Sequence, residues 1–246
     1  MNFLDLKDIA ERDMELVNPT SAEKVLTVGR VLGLNAASRV IDFGSGYAEM
    51  LTLWAEAFGI AGDGVEIRPL ACERARRKLA ERGLAERIHI HCQSAADYAF
   101  TPHSYDVATC LGASFIWGGY SPAVRHLLTA IRPGGYIILG EPYWRTSSIP
   151  PDYARAEATI YTEYELLQMT RQAGLDLVTV VRASHDDWDR YESGNWAGLA
   201  RWLAENPTHP ERDQVLDHLR SSQDEYTRLA REYFGWAMLV LTSTLR

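Results

Sequence analysis

The residues best suited to chemistry in this chain are carboxylates set beside glycines. In Val40-Ile41-Asp42-Phe43-Gly44-Ser45-Gly46-Tyr47-Ala48-Glu49-Met50 an apolar run closes on Asp42, passes two glycines one residue apart, and opens into the amphipathic stretch Met50, Leu51, Leu53, Trp54, Ala57, Phe58. That order predicts strand, tight turn and helix. Gly44 and Gly46 permit positive φ and let a ligand lie against bare backbone, while a helix starting near Tyr47 aims free N–H groups at it. Nucleotide-like molecules bind at such turns. About twenty residues beyond the turn, Glu66 ends a second short strand, where an acid can accept both hydroxyls of a ribose.

Glu49 narrows the choice of ligand. The dinucleotide fingerprint needs glycine there so that helix and strand pack closely around a pyrophosphate, and a carboxylate is a poor neighbour for two phosphates. A ligand with an ammonium, a sulfonium and one carboxylate suits Asp42 and the glycines better. Further on, Tyr105 to Leu111 reads as a fourth strand, and Ile131-Arg132-Pro133-Gly134-Gly135 leads into a fifth, Tyr136 to Gly140.

From Val40 to about Leu177 this succession resembles the class I S-adenosylmethionine-dependent methyltransferases. It is similar in particular to a group of uncharacterised bacterial small-molecule methyltransferases, through Asn18-Pro19, Gly112-Ala113-Ser114-Phe115-Ile116-Trp117-Gly118-Gly119, Gly140-Glu141-Pro142-Tyr143-Trp144-Arg145 and Trp188-Asp189-Arg190-Tyr191. The resemblance implies S-adenosyl-L-methionine as cofactor, S-adenosyl-L-homocysteine as product, and Asp42, Gly44, Ser45, Gly46, Glu66, Ile67, Ser94, Ala95 and Leu111 around them. Ser94 takes the position where relatives carry an acid for the adenine, with Asp97 competing. The segment before the first strand often folds over the cofactor in such enzymes, which makes Asn18, Pro19 and Ser21 candidate lid residues. The acceptor is left open, although the Asn-Pro-Pro-Tyr signature of amino-methylating DNA enzymes is absent.

Methyl transfer is an in-line displacement at an activated carbon and needs no metal; none is expected. An oxygen or carbon acceptor also needs a base, for which Glu141, Tyr143 and His185 are candidates. Trp117, Trp144 and Trp188 are expected to bound the substrate and exclude water. His89 and His91 share a strand face, but no partner ligands for a metal accompany them. A non-catalytic S-adenosylmethionine-binding protein is one alternative, and a nucleotide-dependent oxidoreductase, disfavoured by Glu49, is another.

The elements that position these residues predict an α/β, Rossmann-like, seven-stranded sheet. Six strands are parallel, the last is antiparallel between the fifth and sixth, and helices cover both faces. One domain is expected over 1–246: a helical lid (1–35), a cofactor-binding core (36–183), a helical insert over the substrate pocket (184–232) and a final strand (233–246). Thr20-Ser21-Ala22-Glu23 reads as a capping box, and the basic residues of the helix Leu70 to Arg82 as a solvated face. A chain of 246 residues, 46% apolar, suffices for one core. A formal charge of −8 argues against a nucleic-acid partner and for a small-molecule acceptor. Without a signal peptide or a membrane-length apolar run, and with three scattered cysteines, the expected compartment is the cytoplasm. Oligomeric state is left open.

Overall fold

Val40, Ile41 and Phe43 lose all solvent contact in β1 (Arg39–Phe43), because this strand lies in the middle of a sheet covered on both faces. The computed structural model describes residues 1–243; the last three residues of the expected terminal segment 233–246 lie outside the described residues. The other strands are β2 (Ala61–Glu66), β3 (Ile88–Cys92), β4 (Tyr105–Leu111), β5 (Ile131–Trp144), β6 (Tyr161–Thr162), β7 (Asp176–Arg182) and β8 (Phe234–Thr242). They run in the order β3-β2-β1-β4-β5-β8-β7.

The pairings from β3 through β5 are parallel, and β8 is antiparallel to both β5 and β7. This is the expected Rossmann-like α/β sheet, with β8 seated between β5 and β7. The addition is β6, which pairs only with the end of β5, Tyr143 to Tyr161 and Trp144 to Thr162. Strand order reverses between β1 and β4, and in doubly wound sheets ligands bind beyond the carboxyl ends of the strands at that point.

The helices are α1 (Phe3–Ala10), α2 (Ala22–Val31), α3 (Glu49–Phe58), α4 (Pro69–Glu81), α5 (Tyr120–Ala130), α6 (Pro151–Ala156), α7 (Glu163–Gln172), α8 (His185–Glu205), α9 (Arg212–Glu225) and α10 (Arg231–Tyr233). α3 starts two residues later than the glycine turn suggested, because Ala48 stands before it in the left-handed region, φ 55°. At α2 the cap is Ser21, whose hydroxyl accepts the Lys24 N–H, so the Thr20–Glu23 box does not form. The Thr162–Glu165 box of α7 forms in full.

Two cores flank the sheet. One joins Val25, Val28, Leu51 and Trp54 to Trp236 and Val240, and the other joins Phe43, Leu127, Ile137, Leu139 and Leu166. Each such side chain contributes about 1.5–3 kcal/mol on burial. A third cluster, Leu6, Ala10, Leu199, Leu203, Val215 and Leu219, fastens α1 to α8 and α9. There Gly198 lets the helices close to backbone contact, since a Cβ on it would stand 2.3 Å from the Ala10 carbonyl oxygen. Among the described residues no helix is long and apolar enough to cross a membrane.

Candidate active site

The turn after β1 is shaped by what surrounds its two glycines. Gly44 has φ +74° and Gly46 φ +54°, a region that costs a residue with a side chain about 1–2 kcal/mol. A Cβ on Gly44 would come within 2.7 Å of the Ala113 Cβ, and one on Gly46 within 2.9 Å of Val17 Cγ2. The N–H groups of Gly44 and Ser45 both donate to the Val65 carbonyl, at 2.8 and 3.0 Å, so the turn is tied to the end of β2. Gly46 donates its N–H to Glu66 Oε2 at 2.8 Å.

Glu66 is buried and belongs to a polar chain that leaves the sheet. Its Oε1 accepts the Arg68 backbone N–H at 2.9 Å and the Arg68 Nε–H at 3.3 Å. The Arg68 guanidinium reaches α1, at 2.8 Å from Glu11 and 3.2 Å from Asp8. Glu11 pairs with Lys7 at 3.3 Å, and Lys7 donates to the Tyr191 hydroxyl of α8 at 3.0 Å. A continuous run of charges therefore links the acid on β2 to the lid helix and the insert. On β1, buried Asp42 accepts the Thr109 hydroxyl at 2.6 Å. Burial pushes its carboxyl up to about 7, against the Thr109 hydrogen bond, and the Glu66 charge adds to the rise.

Over this turn opens a cavity of about 260 Å³. Of the expected cofactor residues, Gly44, Gly46, Glu66, Ile67, Ser94, Ala95 and Leu111 line it. Asp42 and Ser45 line a small adjoining recess beside Asn18 and Glu49, where the Ser45 hydroxyl and the Asn18 side-chain Oδ1 are buried without a hydrogen-bond partner. Glu49 turns away to Lys78, 2.5 Å distant. Asp97 is exposed and does not line the cavity, whereas Ser94 does. The lid differs in detail from expectation: its walls are Phe3, Leu4 and Lys7 of α1, Glu11 just after it, and Val17, and Tyr191 closes it from α8. Pro19 and Ser21 stand outside both spaces.

A second cavity, about 340 Å³, adjoins the first across Gly112 and Phe115. Its origin lies in the edge of β5. Gly140 pairs with Leu111 and its carbonyl accepts the Gly112 N–H, while Tyr143 pairs with Tyr161; the two residues between, Glu141 and Pro142, have no strand beside them on that edge. They line the cavity together with Ser114, Phe115, Tyr120, Ile160 and Tyr161. Glu141 is 8% exposed, and its Oε1 has no hydrogen-bond partner. Burial pushes its carboxyl up to about 7, opposed by the Ser114 hydroxyl.

The structure does not bring the other candidates to either cavity. Tyr143 is buried with its ring over Gly235, and His185 is exposed in the first turn of α8. Trp117 stacks on His126 at 4.5 Å and meets Phe43 edge-on. Trp144 packs among Tyr153 and Phe234, and Trp188 between Tyr191 and Tyr226. These indoles fill gaps between elements, and the rings on the second cavity are Phe115, Tyr120 and Tyr161 instead.

Residues 40–135 match the family described as a methyltransferase domain. Over 238 residues, 95% of this chain and 96% of the other, the chain is 36% identical to the uncharacterised protein YjhP of Escherichia coli strain K12. The chain belongs to the methyltransferase family. Two solved structures agree along its length. The S-adenosylmethionine-dependent methyltransferase of Thiobacillus denitrificans, in complex with S-adenosyl-L-homocysteine, is 36% identical at TM-score 0.91, covering 98% of this chain and 99% of that one. That of Geobacter sulfurreducens, also in complex with S-adenosyl-L-homocysteine, is 35% identical at TM-score 0.91, covering 97% of both. S-adenosyl-L-methionine is thus the cofactor of this methyltransferase family. The residues fit it: unsatisfied Ser45 and Asn18 oxygens beside Asp42, and buried Glu66 on the larger cavity, suit a group that would bring hydrogen-bond donors and positive charge.

Several features of the methyltransferase were not singled out in the sequence. Thr109 is one; its place opposite Asp42 in the β1–β4 register puts its hydroxyl on the carboxylate. Arg68 is another, and its signal was a cation two residues past the ribose-type acid. The solvated reading of α4 holds for the exposed Glu73, Arg76 and Arg77 but is corrected at two positions: Arg74 donates to the Arg12 and Met14 carbonyls and lies 4.0 Å from the Tyr47 ring, and Lys78 holds Glu15 as well as Glu49. Cys72 and Cys92, distant in sequence, are neighbours. Burial, then the Cys92 thiol, pushes the Cys72 thiol up to about 12.

Proposed function

We propose that the protein transfers the methyl group of S-adenosyl-L-methionine to a small-molecule acceptor by in-line displacement, with Glu141 as the base. The cofactor supplies an electrophilic methyl carbon on a sulfonium. In this reading Glu66 accepts the ribose hydroxyls, Ser94 and Ala95 border the adenine, and Asp42, Ser45 and Gly46 hold the amino-acid end. The observation that carries the reading is the junction of two cavities at Gly112 and Phe115, one floored by the glycine turn and the other by a buried carboxylate with one oxygen unpartnered.

The site is built to position. Holding two reactants near contact in a water-poor space is worth roughly 7–11 kcal/mol in well-oriented systems. α1 and Tyr191 cover the first cavity, and Phe115, Tyr120, Tyr161 and Leu166 supply apolar surface to the second. The acidic balance of the chain, −8, supports a small acceptor over a polyanion. The test is titration calorimetry with S-adenosyl-L-homocysteine and with NAD, followed by turnover of S-adenosyl-L-methionine over a panel of small acceptors. The reading expects binding of the first alone and methylation of at least one acceptor. NAD binding without the homocysteine derivative would overturn it.

A further inference from the structure

We infer that the acceptor is a primary or secondary amine carrying no anionic group, bound in the second cavity with its nitrogen at Glu141. The inference rests on the methyl-transfer reading and adds the substrate class. It comes from what lines that space. Among the described residues Glu141 is the only acid that lines the cavity, and no lysine, arginine or histidine lines it. A carboxylate or phosphate on the acceptor would enter with no cation to meet it, beside a buried acid. An alkylammonium does the opposite, giving the Glu141 Oε1 atom the charge-assisted hydrogen bond it lacks. The remaining walls favour the same ligand. Phe115, Tyr120 and Tyr161 present ring surface, which attracts a cation more than a neutral group. Tyr120 has its hydroxyl committed to Thr170 at 2.6 Å, and the Gly118-Gly119 turn keeps side-chain bulk away.

The chemistry then balances with the residues present. The ammonium gives one proton to the Glu141 carboxylate and becomes a neutral amine with a free electron pair. That pair forms the nitrogen–carbon bond as the methyl–sulfur bond breaks, and the electrons of the broken bond stay on sulfur. The product leaves as an N-methylammonium, and Glu141 returns its proton to water. An alcohol would ask far more of a carboxylate base, because a hydroxyl holds its proton much more tightly than an ammonium does.

The test reads binding, not turnover. Benzylamine, benzyl alcohol and benzoate are titrated calorimetrically into the full chain, with and without saturating S-adenosyl-L-homocysteine. Benzylamine should bind about tenfold or more tighter than the alcohol, the gain of a charge-assisted hydrogen bond, with benzoate weakest. In Glu141→Gln the amine and alcohol should converge to within about twofold. Equal binding of amine and alcohol, tighter binding of benzoate, no binding of any probe, or an amine preference that survives Glu141→Gln overturns the inference. If the variant does not fold, the wild-type ranking alone decides. Failure to bind S-adenosyl-L-homocysteine would instead sink the methyl-transfer reading, and the ranking of the probes on the unliganded protein is still measured separately.

Discussion

Glu66 and Gly46 are joined across the crevice: the carboxylate at the end of β2 accepts the N–H of the turn after β1 at 2.8 Å. The acid proposed for the ribose is therefore already held in place, and its other oxygen is fixed by Arg68. Replacing Glu66 by alanine should weaken S-adenosyl-L-homocysteine binding by roughly ten- to a hundredfold, the value of one or two hydrogen bonds to a charged group. Calorimetry checks this, and an affinity within about twofold of wild type would remove the ribose role.

Gly46→Ala combines two penalties that can be separated. The backbone conformation at φ +54° remains costly by about 1–2 kcal/mol, and the new Cβ meets Val17. The expected result is a lower unfolding midpoint and weaker cofactor binding. Adding Val17→Ala should restore part of the loss and leave the backbone part. Full restoration in urea titrations would show that the conformational term is absent.

Glu141 carries a signed pH dependence. Its carboxyl rises from 4.5 to about 7 in the folded protein, chiefly through burial. The folded state therefore holds the proton more tightly than the unfolded one. The resulting stability is complete below the unfolded value and is lost as pH rises through about 7. Glu141→Gln should be more stable than wild type at about pH 8, by up to roughly 3 kcal/mol, and should match it at about pH 4. Denaturant midpoints across that range measure it; a constant difference at every pH would contradict the burial argument.

Arg68 is the cation shared by Glu66, Glu11 and Asp8. Truncating it to alanine takes the shared cation from buried carboxylates, leaving Glu66 the Gly46 N–H and Glu11 the Lys7 ammonium, so the cost should approach the about 3–5 kcal/mol of a broken buried pair from below. The loss should appear first as faster amide hydrogen exchange in α1, ahead of β1 or β4. Uniform loosening of the whole chain would mean that α1 is not a separately released cover.

The parts of this structure that were legible in the sequence are those whose cause is local. The β1 turn needs its glycines where φ is positive, Glu66 follows at the spacing of one helix, and Ile131 to Gly135 announces β5. What was not legible depends on residues far apart in the chain. Nothing near Lys7 points to Tyr191, its partner across 184 positions, and nothing in Arg74 or Lys78 reveals that the N-terminal segment lies over them. The tryptophans misled for a related reason. A large ring near a strand end serves a pocket wall and a packing gap equally well, and only the placement of His126, Phe234 and Tyr226 separates the two uses. β6 is two residues long, too short for any periodicity, yet it borders the second cavity.

That small strand has an evolutionary corollary. Because β4 leaves the edge of β5 at Gly140 and β6 joins it only at Tyr143, while β8 pairs with β5 throughout, the proposed recognition of the two reactants is written in separate stretches of chain. Loops following β5 can lengthen, shorten or exchange residues while the donor-binding turn and the register of β8 stay as they are. Relatives that keep one donor are thereby free to diverge in what they modify.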